Sequence, residues 1–189
     1  MGDPRKHRKK YKTPKHPWEA VRLEEEGKLV EDFGLVKKKE IWKMAFILKK
    51  SKEQAKHLIA NATTQGAKEK EQLLARLSKL NLLQATSLDK VLDLTIRDVL
   101  ERRLQTFVYR KGLAKSMKQS RQFILHGHIA INGRKMTVPS YLVKGDEEGK
   151  ISFVENSSLN SPDNPERIVK EPLNKKIEQN KKQAIEVAN

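Results

Sequence analysis

An α+β fold is predicted for this 189-residue chain: a basic extended arm and an N-terminal helical domain, then a small domain in which a helix pair packs on a short, twisted, antiparallel-rich sheet. Three observations carry the prediction. Ile41, Met44, Ala45, Leu48, Ala55, Leu58, Ile59 and Ala62 recur at three- and four-residue spacing, the signature of an amphipathic helix. No Asp or Glu occurs between Glu101 and Asp146, yet that stretch is threaded with apolar residues at helical spacing. After Gly127 the period becomes alternating and runs into Asn132-Gly133, the strongest short hairpin signal.

Residues 1–16 form the arm. Arg5, Lys6, Arg8, Lys9, Lys10, Lys12 and Lys15 face the single acid Asp3, and Pro4 and Pro14 oppose a helix. Such an arm can thread along phosphates and order only on binding. Residues 17–94 are expected to be helical. A first short helix should begin with Pro17 at its first position and end before Gly27, with Trp18 and Val21 facing inward. Glu24, Glu25 and Glu26 in its last turn should pair with Lys37, Lys38 and Lys39, which follow a turn at Gly34. A second helix is expected from about Lys38 to Asn61, with Lys49, Lys50, Lys52 and Lys56 off its apolar side. A third should follow a break at Gly66, marked by Leu73, Leu74, Leu77, Leu80 and Leu83.

Residues 95–155 hold the second domain. Thr95 is a good N-cap with Asp98 at the capping-box position, and Ile96, Val99, Leu100, Leu104, Phe107 and Val108 predict one helix to about Arg110, stopped by Gly112. Arg102, Gln105 and Tyr109 should lie off its apolar stripe. Ser116 with Gln119 opens another helix that ends before Gly127, with Met117 and Ile124 packed on the first, and Lys118 and Arg121 adjacent on another side. Ile129 and Ile131 form the first hairpin strand, and Arg134 and Lys135 sit at the tip or start of the return. Tyr141 to Val143 and Ile151 to Val154 read as extended, separated by a turn at Gly145 to Gly149. Residues 156–189 read as a polar linker and a charged tail.

Charge narrows the function classes. The formal net charge is +16, and ten Lys and Arg residues fill the acid-free stretch, so a polyanionic partner is indicated. No apolar run approaches the roughly 20 residues that span a bilayer, so no membrane partner is expected. Cysteine is absent, which removes disulfides, thiolate catalysis and cysteine-based zinc sites. His7, His16, His57, His126 and His128 show no ligand spacing, residues 17–94 hold no catalytic constellation, and neither enzyme activity nor a cofactor is expected.

Four ordered blocks carry a family likeness: Leu100 to Leu104, Val108 to Ala114, Ser120 to Ile129, and Ile131-Asn132-Gly133 with Val138 to Asp146. Together they resemble the RNA-binding domain named for protein four of the small ribosomal subunit. The starts Met1 to Lys6 and Thr13 to Trp18 are similar to the archaeal and eukaryotic branch of that ribosomal protein family. The resemblance implies early binding of small-subunit ribosomal RNA at a helical junction in the body of the particle. It also implies neighbouring ribosomal proteins as partners, proximity to messenger RNA where it enters the particle, and an influence on decoding accuracy. Some bacterial-type members hold an N-terminal zinc through cysteines, which this chain lacks. Met117 and Ser120 stand where other members often have Arg or Ala.

The expected RNA contacts are Arg5, Lys6, Arg8, Lys9 and Lys10 in the arm; Arg102, Arg103, Tyr109, Arg110, Lys111, Lys115, Lys118, Arg121, Gln122 and His126 on the helix pair; and Arg134 and Lys135 on the hairpin. Three rival readings share some of these features: a biogenesis factor that binds precursor ribosomal RNA, an RNA-modifying enzyme carrying the domain as an appendage, and a nonspecific basic binding protein.

Overall fold

A computed structural model describes residues 9–60, 63–83, 87–161, 164 and 166. The expected contacts Arg5, Lys6 and Arg8 lie outside these residues, as does nearly all of the C-terminal tail. Contacts along the chain divide it into two compact units, Met1–Leu100 and Glu101–Asn189.

In the first unit, helix α1 (Ala20–Asp32) is followed by α2 (Lys38–Ala60), α3 (Thr64–Lys79) and the single turn α4 (Asp89–Asp93). Helix α2 packs against the other three, burying Ile41, Met44, Leu48, Ala55 and Leu58 against a core that includes Leu73, Leu77 and Val91. The long central helix is thus where its apolar spacing put it.

The first helix departs from expectation at both ends. It begins three residues after Pro17 and runs through Gly27. Its stop is Gly34, at φ 55°: the Leu35 N–H donates to the Val30 carbonyl at 3.0 Å and the Gly34 N–H to the Glu31 carbonyl at 3.3 Å. This paired termination needs the left-handed conformation at Gly34, whereas Gly27 is merely tolerated inside the helix. Trp18 precedes the helix and is 89% exposed, and Val21 in its first turn is exposed too. The inward group is Glu26, whose Oε1 accepts from Arg22 Nη1 at 2.7 Å and from the Trp42 indole at 3.0 Å, with Lys38 Nζ 3.7 Å from its other oxygen. The expected acid-lysine cluster therefore reduces to one buried carboxylate and Lys38.

Gly66 likewise does not break the chain. It lies in the first turn of α3 and donates its N–H to the N-cap Thr63 hydroxyl at 3.0 Å. The helix ends at Lys79, with Asn81 at φ 48°, so Leu80 and Leu83 lie beyond it.

Helix α5 (Ile96–Glu101) leads into the second unit, which holds α6 (Leu104–Arg110), α7 (Met117–Leu125) and strands β1 (Ile129–Ile131), β2 (Arg134–Lys135) and β3 (Ile151–Phe153). The sheet order is β2-β1-β3 and both pairings are antiparallel, with Ile131 opposite Arg134 and opposite Ile151. Leu104, Val108, Phe123, Ile124, Ile129, Ile131, Val143, Ile151 and Phe153 form one core in which α6 and α7 cover the sheet. The fold is α+β.

A single helix from Thr95 to Arg110 is not what forms. The chain extends at Arg103, φ −73° and ψ 142°, between α5 and α6. There Arg103 makes a β-bridge with Leu142, the Leu104 N–H donates to the Tyr141 carbonyl at 2.8 Å, and the Val143 N–H donates to the Arg102 carbonyl at 2.9 Å. Cross-chain hydrogen bonds thus override a local helical preference that is continuous across the break. The same contacts absorb Tyr141 to Val143, which pair through this one bridge and not as a strand of the sheet.

Candidate RNA interface

The interface is built on α6, α7 and the β1-β2 hairpin, and each is locked locally. Thr95 and Asp98 cap α5 reciprocally: Asp98 Oδ2 accepts from the Thr95 N–H at 2.7 Å, and Thr95 Oγ1 accepts from the Asp98 N–H at 3.4 Å. Ser116 Oγ accepts from the Gln119 N–H at 3.2 Å to open α7, while Gln119 Oε1 reaches back to the Lys115 N–H at 2.7 Å. At the far end the His128 N–H donates to the Phe123 carbonyl at 2.9 Å and the Gly127 N–H to the Ile124 carbonyl at 3.0 Å. Gly127 takes φ 73° to make this stop. It also accommodates Lys135, since a Cβ built on Gly127 would lie 1.9 Å from the Lys135 Cε. The Lys135 side chain of β2 therefore lies over the C-terminal end of α7. Asn132 at φ 53° and Gly133 at φ 74° form the expected type I′ turn.

The sequence-predicted contacts separate by burial. Lys9, Lys10, Arg110, Lys111, Lys118, Gln122, His126, Arg134 and Lys135 are exposed, and Tyr109, Lys115 and Arg121 are partly so. Two residues of the set are interior. Arg103 is 1% exposed, because the extended backbone that pairs with Leu142 turns its side chain inward. The Arg102 side chain is 12% exposed: Nη2 donates to the Val143 carbonyl at 3.0 Å and to Glu148 Oε1 at 2.5 Å, and the guanidinium lies 4.7 Å from the Phe107 ring centroid. Both side chains lie largely in the interior of the domain. Gln105, expected off the apolar stripe, is also buried and donates Nε2 to the Met117 carbonyl at 2.9 Å. Arg110 reaches solvent but is engaged by Glu101 at 3.0 Å.

The acid-free stretch is thus less uncompensated than its composition implies. The 3₁₀ turn Gly145–Lys150 brings Glu147 and Glu148 back over it. Glu148 meets Arg102, and Glu147 accepts from the Tyr141 hydroxyl at 2.9 Å. Partial burial holds the Lys111 ammonium below the usual lysine range, with the Glu148 charge opposing that shift. Desolvation pushes the Tyr141 phenol up, assisted by its hydrogen bond to Glu147 and by that carboxylate's charge. Lys111, Lys118 and the hairpin pair Arg134 and Lys135 point to solvent, with Lys115 and Arg121 half-buried beside them.

Sequence reasoning missed a cleft of about 460 Å³ beside His126, lined by Gln122, Phe123, His128 and, from beyond β3, Leu159, Asn164 and Glu166. Its far wall lies some 30 residues on in a stretch that reads as linker, so no local pattern announces it. Among the described residues no group of three or more His, Asp or Glu could hold a metal, and no helix is long and apolar enough to cross a membrane.

Comparison with known proteins agrees with this architecture. The S4 domain family matches residues 102–148, from the interior Arg102 to Glu148, its ion-pair partner. The small ribosomal subunit protein uS4 of Methanococcus maripaludis strain C6 is 52% identical over 169 residues, covering 88% of this chain and 95% of that protein. The protein of the same name from Methanococcus vannielii is also 52% identical over the same shares. That from Methanothermobacter thermautotrophicus is 48% identical over 160 residues, covering 84% and 94%. With half of its residues shared along nearly the full length of these relatives, and with the helix pair, hairpin and returning strand of the matched domain in place, the chain belongs to the small ribosomal subunit protein uS4 family.

Proposed function

We propose that this protein is a structural component of the small ribosomal subunit that binds small-subunit ribosomal RNA directly through the exposed bases of α7 and the β1-β2 hairpin. The observation that carries the reading is the core shared by Phe123 and Ile124 of α7 with Ile129 and Ile131 of β1, which holds the hairpin bases Arg134 and Lys135 on the same module as Lys118 and Arg121. Bases from two elements distant in strand direction are thereby held on one rigid module, and rigid placement of cations suits the fixed phosphate pattern of a folded RNA junction. The division of the chain into arm, helical domain, RNA-binding domain and tail is part of the same reading. The arm, with Arg5, Lys6, Arg8, Lys9 and Lys10, tracks phosphates on binding. The tail-side acids Glu147 and Glu148 help hold the module together.

On this reading the protein works in the cytoplasm within the small subunit, nucleates assembly of its body, touches neighbouring ribosomal proteins, and affects decoding accuracy near messenger RNA where it enters. It is not an enzyme. Lys and Arg neutralise phosphates and release counterions, so affinity falls with salt by about 0.7 to 0.9 logarithmic units per contact per decade of salt. Specificity rests on junction shape, because the deep A-form groove hides base edges.

The test is a competition between folded small-subunit ribosomal RNA and a DNA duplex for the full chain, with its abundance measured in salt-washed mature small subunits. Strong preference for the RNA and one copy per mature particle are expected. Equal affinity for both nucleic acids would leave only a nonspecific basic protein, and presence confined to precursor particles would make it a biogenesis factor.

A further inference from the structure

The cleft beside His126 has a lining that suits a flat heteroaromatic ring and not a phosphate. Gln122, on α7, and His126, its C-cap, stand one turn apart on one side of the helix, and both are exposed. The His126 and His128 rings lie 6.4 Å apart, inclined by 35°, and the buried Phe123 ring meets His128 edge-on at 6.2 Å. His128 is held in place by a 2.8 Å contact between its Nδ1 and Ser157 Oγ. Asn164 and Glu166 also line the cleft, the Asn164 carboxamide itself fixed by the Ser158 carbonyl at 3.1 Å and the Glu166 N–H at 3.1 Å. Among the described residues no Lys or Arg lines the cleft, and the Glu166 carboxylate would repel a phosphate. Yet Lys118 lies one helical turn before Gln122 on the same side of α7, about 6 Å along the axis. A cation for a phosphate and, one turn on, a polar aromatic cleft reproduce the two ends of a single nucleotide.

We propose that this cleft receives one unstacked base of the bound RNA, stacked on the exposed His126 ring, with the Gln122 amide and the Glu166 carboxylate reading its edge and Lys118 holding its phosphate. This rests on the RNA-binding reading above and adds a base-specific subsite to an otherwise shape- and charge-driven interface. Single-stranded bases splayed from a junction are recognised by stacking on aromatic or His rings and by hydrogen bonds to their edges. The carboxylate accepts from an exocyclic amino group, which favours adenine, cytosine or guanine over uracil. The cleft volume of about 460 Å³ lies within the range of small-ligand sites.

The test measures affinity of the full chain for folded small-subunit ribosomal RNA across a salt series, for wild type and for His126→Ala, His126→Phe and His126→Lys, with Lys118→Ala as the phosphate-contact reference. His126 is exposed, so none of these replacements should disturb folding, and thermal melts check that. Loss of stacking in His126→Ala should weaken binding about fivefold or more with the salt slope unchanged. His126→Phe should bind within about twofold of wild type because it keeps the ring, and His126→Lys should be as weak as His126→Ala. Lys118→Ala should lower the salt slope by about 0.7 to 0.9. Unchanged affinity in His126→Ala, or recovery by Lys but not by Phe, would overturn the base site and leave the RNA-binding reading intact. Failure of the wild type to prefer the RNA would instead bring down that reading as well.

Discussion

Ser120 Oγ donates to the Gln105 backbone carbonyl at 2.6 Å, and both residues are buried between α6 and α7. With Gln105 Nε2 on the Met117 carbonyl, this makes the helix-pair seam partly polar: hydrogen bonds fix the sliding register that apolar packing alone would leave loose. That register decides where Lys118 and Arg121 point. Ser120→Ala should lower stability by about 1 kcal/mol, seen as a reduced melting temperature or urea midpoint. Its RNA salt slope should stay that of the wild type, since no cation is lost.

Charge reversal at Lys118 and Arg121 together tests the outward surface itself. The double change to Glu should weaken RNA binding strongly and reduce the salt slope by about 1.4 to 1.8 units, at near-native thermal stability. An unchanged binding curve would remove α7 from the reading surface. Arg103, which is interior, should behave in the opposite way: Arg103→Ala should act through stability, read in the urea midpoint, before it acts on the salt slope.

Tyr141 gives a pH dependence. Its phenol is pushed above the ordinary value of 10.0 by desolvation and by Glu147. A group whose folded pKa is raised contributes stability that is fully present below its unfolded pKa and lost as pH rises through the folded one. Stability should therefore decline from about pH 10 upward. Tyr141→Phe should remove this contribution, so the urea midpoint of the variant should fall less over that range. A spectrophotometric titration of the phenolate would show the late ionisation directly.

In the helical unit, Glu26 and Trp18 make an opposed pair. Replacing Glu26 by Ala leaves the Trp42 indole and the Arg22 guanidinium without their shared acceptor, and should cost about 1 to 3 kcal/mol. Trp18, 89% exposed, should tolerate Ala within about 0.5 kcal/mol in the free protein. Parallel denaturant melts check both, and a large loss at Trp18 would mean that it packs inward after all.

Periodicity and punctuation in the sequence determined a great deal on their own. The central helix α2, the Ser116 cap, the Thr95-Asp98 box, the Gly127 stop and the Asn132-Gly133 turn are all set by contacts within a few residues, and such contacts are visible in local order. Four ordered blocks likewise sufficed for the family. Only tertiary structure decided what lies across the chain from what. Arg102 read as a surface cation because a helical wheel spanning 95–110 puts it off the apolar stripe, and Arg103 because the family resemblance groups it with the RNA contacts. They are interior because Tyr141 to Val143, some 40 residues away, pull their backbone out of the helix and Glu148 closes over Arg102. Gly27 read as the stop of the first helix, yet the helix runs through it and ends where Gly34 takes the left-handed conformation beside the buried Leu35. The cleft at His126 belongs to the same class, with Gln122 and His126 on α7 and Glu166 far along the chain. Long-range pairing is written into no local period, so it is there that burial, and with it the division of arginines between core and surface, was settled.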